Sequence, residues 1–241
     1  MRQFVASLSA LCLLVPHFAQ ADQQISELTT LIDSQFKNLT QELNVAQSYK
    51  AISASDPLDT LNFSVGFEVT TTNMEQDSRL LEKITPRESS NTNTLHMPKL
   101  QVRKGLSPGW DIGAYYSSLP DTDIHIYGGE LRYSLFNRHQ TLPALAVRGT
   151  YSYLSGVEDL NLTSTGLEFS VSRGFSGLTP YAGFGTTWVD GEDQLNGYRE
   201  NLTQTKYFMG LNFNLGLFNF AAETEQNGES STTKAKFGLR F

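Results

Sequence analysis

The sequence predicts an all-β fold: a transmembrane antiparallel up-and-down β-barrel of about ten strands, with an N-terminal amphipathic helix. Three observations predict it. Apolar side chains recur with a period of two from Leu61 onward, the alternating runs are long, and the aromatic residues gather near run ends. Successive side chains of a strand point to opposite faces, so strict alternation marks one apolar and one polar face.

The chain opens on "MRQFVASLSALCLLVPHFAQAD". One Arg, an apolar run from Phe4 to Val15, and then Ala19-Gln20-Ala21 follow the order of a secretory signal peptide, residues 1–21, cleaved before Asp22. The run is too short to span a bilayer as a helix. A lipoprotein reading of Cys12 fails because Leu11 stands where a small residue is needed and the apolar run continues past the thiol. Cys12 is the only cysteine, so the exported chain carries no disulfide. Loss of Arg2 takes the formal net charge from −7 to −8. No basic stripe exists to neutralise phosphates, which argues against nucleic acid as a partner.

Residues 22–56 form a separate, periplasmic segment. Ile25, Leu28, Ile32, Phe36, Leu39, Leu43, Ala46 and Tyr49 step by three and four, placing one apolar stripe on a polar helix. Such a helix can dock on an apolar surface, pair in a short coiled coil, or plug a pore, and the periodicity leaves all three open. Pro57 ends it.

Residues 57–241 read as the barrel. "LNFSVGFEV" puts Leu61, Phe63, Val65, Phe67 and Val69 on one face. Equivalent runs begin at Leu100, Trp110, Tyr127, Leu145, Thr165, Ala182, Tyr207, Phe218 and Thr233. Most approach the ~9–11 residues that a tilted membrane strand requires, against an average of about five or six in ordinary globular sheets. Connections at 107–109, 137–142, 176–178 and 216–217 are short, and those at 73–99 and 191–202 are long. Short turns at one end and longer loops at the other mark outer-membrane barrels. With the short turns facing the periplasm, Trp110, Tyr133, Phe218 and Phe241 fall at one interface. Tyr116, Tyr127, Tyr151, Tyr153, Trp188 and Tyr207 fall at the other, making two aromatic girdles.

The chain ends in "STTKAKFGLRF". Its terminal Phe241, with Ala235, Phe237 and Leu239 alternating behind it, resembles the C-terminal recognition signal of bacterial outer-membrane proteins. The resemblance implies that the barrel assembly machinery of a Gram-negative cell reads these residues. "KGLSPGWDIGAYY", "GGELRYSL", "LPALAVRGTYSYLSGV" and "TPYAGFG" resemble a group of proteobacterial outer-membrane proteins. That likeness implies a porin-like fold and a cell outer membrane location, and it brings no activity with it.

The opposite face of the strands would line the lumen. It carries Glu68, Arg103, Asp111, Glu130, Arg132, Arg148, Glu168, Glu223, Glu225, Lys234, Lys236 and Arg240, close to balanced in sign. A barrel of this size has an interior wide enough for side chains or one small ligand. These charges therefore read as a neutralising network that closes the lumen, or as the lining of a narrow channel. His125, with Asp121, Asp123, Ser117 and Ser118 nearby, is the one neighbourhood with the residue types of a hydrolase or lipid-modifying enzyme. Short spacing without geometry does not make it a catalytic site, so no enzyme activity is expected. His96 and His139 read as surface residues. No metal set or cofactor motif is expected, and Gly128-Gly129 and Gly183-Phe184-Gly185 mark close packing inside strands.

The function expected is a non-enzymatic structural or interaction barrel. Its partners would be outer-membrane lipid and, through loops 73–93 and 191–202, a surface partner. A solute channel gated by the N-terminal helix is the alternative. A first check is electrophoretic. Refolded residues 22–241 should run as a compact band in SDS and shift on boiling, because a closed barrel resists the detergent; a single unshifting band would contradict the fold.

Overall fold

The structure is a computed structural model that describes residues 62–73, 94–119, 123–135, 143–157, 160–194, 197–228 and 230–241, with Thr40, Ile52 and 58–60. The expected signal peptide, most of the 22–56 helix, Leu61, the 74–93 loop, Asp121 and His139 lie outside the described residues.

Ten strands follow in order: β1 Phe63–Asn73, β2 Thr94–Ser107, β3 Trp110–Ser118, β4 His125–Leu135 and β5 Ala144–Ser155, then β6 Leu160–Ser172, β7 Leu178–Asp193, β8 Arg199–Leu215, β9 Phe218–Asn227 and β10 Ser230–Arg240. Each pairs antiparallel with its sequence neighbour, and β10 returns to β1, so the sheet is a closed barrel. The seam runs from Ser64↔Arg240 to Asn73↔Ser231. Beyond its last rung Phe63 and Phe241 exchange backbone hydrogen bonds of 2.8 and 2.9 Å. Closure leaves no row of unpaired amides among the ladders that cross the band of apolar side chains.

The usual inside and outside are exchanged. Phe67, Leu211 and Met209 are 52%, 51% and 63% exposed, whereas Arg132, Lys206 and Lys234 are at or below 2%. An outward face this apolar is unstable in water and suited to hydrocarbon. Among the described residues no helix is long and apolar enough to cross a membrane.

The long loop expected at 191–202 is not a loop. β7 runs through Asp193 and β8 starts at Arg199, leaving 194–198 as the connection. The 73–99 connection also shrinks, because β1 reaches Asn73 and β2 starts at Thr94. In both places the ladder continues past the apolar band. Its outward residues there are polar (Thr203 and Thr205, for example), so the alternation of apolar residues stops before the strand does.

Glycines stand directly across from inward aromatic rings. Tyr115 opposes Gly128, Phe208 opposes Gly183 and Tyr181 opposes Gly210. A Cβ on Gly128 would meet the Tyr115 ring at 2.0 Å, and one on Gly183 would meet Phe208 at 2.3 Å and the Phe169 carbonyl at 2.4 Å. These glycines let rings lie flat on the lumen wall. Gly128→Ala is expected to cost about 1–3 kcal/mol in urea unfolding from lipid vesicles. Tyr115→Ala should remove most of that increment, since the ring alone is in the way. Phe208→Ala should leave most of the cost of Gly183→Ala, where backbone also blocks the methyl. Equal relief in the two cycles would contradict this geometry.

Candidate functional site

The lumen is the candidate site, and its wall divides into a charged half and an apolar arc. The charged half follows from the register. Asp111 on β3 stands opposite Arg132 on β4, and Arg148 on β5 stands opposite Glu168 on β6. Arg132 and Arg148 also face each other, an unfavourable pairing of like charges. It resolves because each guanidinium turns to its own acid. Arg132 Nε donates to Asp111 at 2.9 Å, and Arg148 Nε donates to Glu168 at 2.6 Å.

Further contacts join these pairs into one lattice. Arg103 Nη2 donates to Asp111 at 3.1 Å. Arg103 Nε lies 3.0 Å from Glu130 Oε1, an ion pair without hydrogen-bond alignment. Arg148 Nη1 reaches Glu130 at 3.5 Å, and Lys206 pairs with Glu168. A second group centres on Lys234, which pairs with Glu223 and, at 2.8 Å, with Glu225. The Tyr181 hydroxyl donates to Glu223 at 2.7 Å. Taking such ions out of water costs several kcal/mol each, so the pairing is a condition of burial and adds little net stability.

Among the described residues, the inward lysines Lys236 and Lys99 make no ion pair with an acid. Lys236 Nζ donates to the Ile52 carbonyl at 2.5 Å. Lys99 Nζ is buried without a hydrogen-bond partner, 5.2 Å from the centre of the Tyr115 ring. Glu68, opposite both lysines in register, accepts from the Thr70 hydroxyl at 3.1 Å.

Glu68, Arg103, Asp111, Glu130, Arg132, Arg148, Glu168, Glu223, Glu225, Lys234 and Lys236 are all buried inside, and Arg240 is half-buried at the rim. Lys99 and Lys206 are lumen residues that the alternation does not reveal, and they tip the charge toward basic. Both precede the first apolar outward residue of their runs; Lys99 stood in the 73–99 loop, and Lys206 just before the run that begins at Tyr207.

The apolar arc was not expected. Toward the loop end of β2 to β8, Met97, Ile126, Leu154, Leu162, Val189 and Leu202 point inward and cluster. On β1, β9 and β10 the same depth carries Thr72, Asn227 and Thr232. The signal was present in Ile126-Tyr127, Tyr153-Leu154 and Trp188-Val189, adjacent apolar residues that serve both faces at once.

The N-terminal part of the chain touches the lumen at described points. Thr40, helical, is 1% exposed, Ile52 is 0% and Leu58 is 3%. A Cβ on Gly191 would lie 2.9 Å from Thr40 Cγ2. Ile52 packs with Tyr181, Phe208 and Ala221. The Leu58 N–H donates to Asp111 Oδ1 at 2.9 Å, so the carboxylate that holds two arginines also holds backbone.

The girdle residues Trp110, Tyr133, Phe218, Tyr116, Tyr127, Tyr151, Tyr153, Trp188 and Tyr207 are exposed on the outer wall. Trp110 and Tyr133 pack at 4.7 Å near the tight turns. Tyr116, Tyr127 and Tyr153 share a rung near the loops. On β10, Ala235, Phe237 and Leu239 face outward, and Phe237 packs 5.2 Å from Phe220.

At the His125 neighbourhood, the Tyr116 hydroxyl lies 2.9 Å from His125 Nδ1. The Ser117 hydroxyl turns inward and donates to the Pro98 carbonyl at 2.7 Å. Among the described residues no acid is hydrogen-bonded to His125, and Asp121 lies outside them. The described residues also hold no cluster of His, Cys, Asp and Glu fit for a metal ion.

No protein-family model matches the chain, and no curated protein matches it in sequence. The solved structures it resembles include bacterial outer-membrane barrels, porins and channels among them. An outer membrane channel from Pseudomonas putida F1 superposes with a TM-score of 0.49 at 8% identity, covering 80% of this chain and 98% of that one. The KdgM porin, solved in complex with disordered oligogalacturonate, gives 0.39 at 9% identity over 74% and 99%. The N-terminal β-barrel domain of Pseudomonas aeruginosa OprF gives 0.36 at 14% over 74% and 97%.

The lattice makes an energetic contrast measurable. Glu168→Gln removes the acid shared by Arg148 and Lys206, and should cost about 3–5 kcal/mol in urea unfolding. Lys99→Met replaces an unpaired buried ammonium with an apolar chain, and should be neutral or stabilising. The reverse order of the two would overturn the assignment of partners.

Proposed function

We propose that this chain is an outer-membrane β-barrel with a closed lumen, acting as a structural or interaction protein and not as an enzyme. One observation carries the reading: the charged side chains of the lumen bond to each other and to the chain's own N-terminal segment, at Ile52 and Leu58. A conducting pore would keep such groups facing water, where they could set ion preference. The apolar outer wall between aromatic girdles supports lipid as the surrounding medium. Export through a cleaved signal peptide, residues 1–21, and assembly through Ala235, Phe237, Leu239 and Phe241 complete the proposal. A surface partner would meet the barrel at the 74–93 loop and at the 194–198 turn.

A solute channel gated by the N-terminal segment is the competing reading, since at its described points the segment is held by non-covalent contacts alone: hydrogen bonds at Ile52 and Leu58 and packing at Thr40 and Ile52. Single-channel recording in a planar bilayer separates the two. Residues 22–241 are expected to be silent. Steady current from that form would replace the closed reading with a pore, and current only from a form lacking 22–56 would make the segment a gate.

A further inference from the structure

We infer that the apolar arc of the lumen is the docking surface for this chain's own amphipathic segment, residues 25–49. The inference deepens the closed-lumen reading and rests on it.

The argument begins with burial at an end of the barrel that should be wet. A ten-stranded barrel is wider than the eight-stranded kind whose interior is just filled by its own side chains. Leucine and isoleucine lining such a mouth would stand in water unless something covered them. Yet Ile126, Leu154 and Leu162 are at or below 1% exposed, and Val189 equally so. Something occupies the lumen at their level, and Thr40 is there, against Gly191 and beside Leu162.

The second step is complementarity. The wall at this depth is itself two-faced, apolar along β2 to β8 and polar on β9, β10 and β1. A cylinder that fits it needs one apolar stripe and one polar face, which is the pattern of residues 25–49. Thr40 is helical. In a helix the residues four before and three after it, Phe36 and Leu43, share its side. The wall it touches at Gly191 belongs to the apolar arc. Thr40 stands at the margin of the stripe, so this contact leaves the stripe free to lie along the neighbouring part of the arc.

The third step is reach. Along β7, Gly191 and Tyr181 mark the levels of Thr40 and Ile52. The drop between them is about 25 Å for a strand tilted near 40°. A helix from Thr40 to Ile52 covers about 18 Å, and extended chain covers more, so a helix that unwinds toward Ile52 spans the drop. Lys236 then holds the Ile52 carbonyl and Asp111 the Leu58 N–H, and the chain passes directly into β1. A second copy or a free apolar ligand would have to displace Thr40 from Gly191 to take the same place.

The chain lends itself to a disulfide test, because its only natural cysteine is Cys12. In refolded residues 22–241, Thr40→Cys with Gly191→Cys should oxidise to a crosslink, seen as a changed mobility after boiling without reductant. Thr40→Cys with the lipid-facing Met209→Cys should not. Thr40→Cys alone, at a position that tolerates a small side chain, should react with an aqueous maleimide about two orders of magnitude more slowly than Leu217→Cys, since labelling must await local opening. Each variant is checked by its heat-dependent gel shift. No crosslink together with rapid labelling at position 40 would overturn the docking, even if the barrel stays silent in the bilayer. A crosslink in a barrel that conducts would keep the docking and overturn the closed reading instead. An added second copy or detergent chain that slows labelling of an otherwise reactive Thr40→Cys would identify the other occupants and reject this one.

Discussion

Inside hydrocarbon, a backbone amide can bond only to other backbone, and that constraint organises everything else in this molecule. It forces the sheet to close, and closure requires β10 to meet β1 along its whole length. A closed sheet with lipid outside has one face left for polar groups, so the charges go inward. Burial of charge in a narrow lumen favours pairing, which the lattice from Arg132 to Lys206 accomplishes for most of the charges, Lys99 and Lys236 standing apart. Each feature follows from the one before it.

Much of this was legible in the alternation itself. Period two gives each residue's face, and faces gave the strands, the lipid-facing aromatics and most of the lumen charges. What alternation cannot report is where a strand ends once it leaves the membrane. There the outward residues become polar, both faces look alike, and β8 from Arg199 to Leu202 reads as loop. The same blind spot hid Lys99. The apolar arc escaped for the opposite reason. At Tyr153-Leu154 both faces are apolar, and a reading that assigns apolar residues outward has no place for the second one.

The pairings also depend on the neighbouring strand. That Arg132 turns to Asp111 and Arg148 to Glu168 is a matter of register, which a single strand's pattern does not contain. Likewise, nothing in "GGELRYSL" says that Gly128 lies under the ring of Tyr115; only the rung that joins β3 to β4 does.

The rim of the barrel is not level. β8 pairs with β9 only from Lys206 downward, while its pairing with β7 continues to Arg199. The extra stretch lifts the tip of that hairpin roughly 15–20 Å above the β9–β10 turn, allowing for strand tilt. Among the described residues the rim is thus a parapet at β7–β8 and a sill at β9–β10. A flat object lowered onto these two hairpins meets the parapet first, so that tip takes the contact the lower turn is spared.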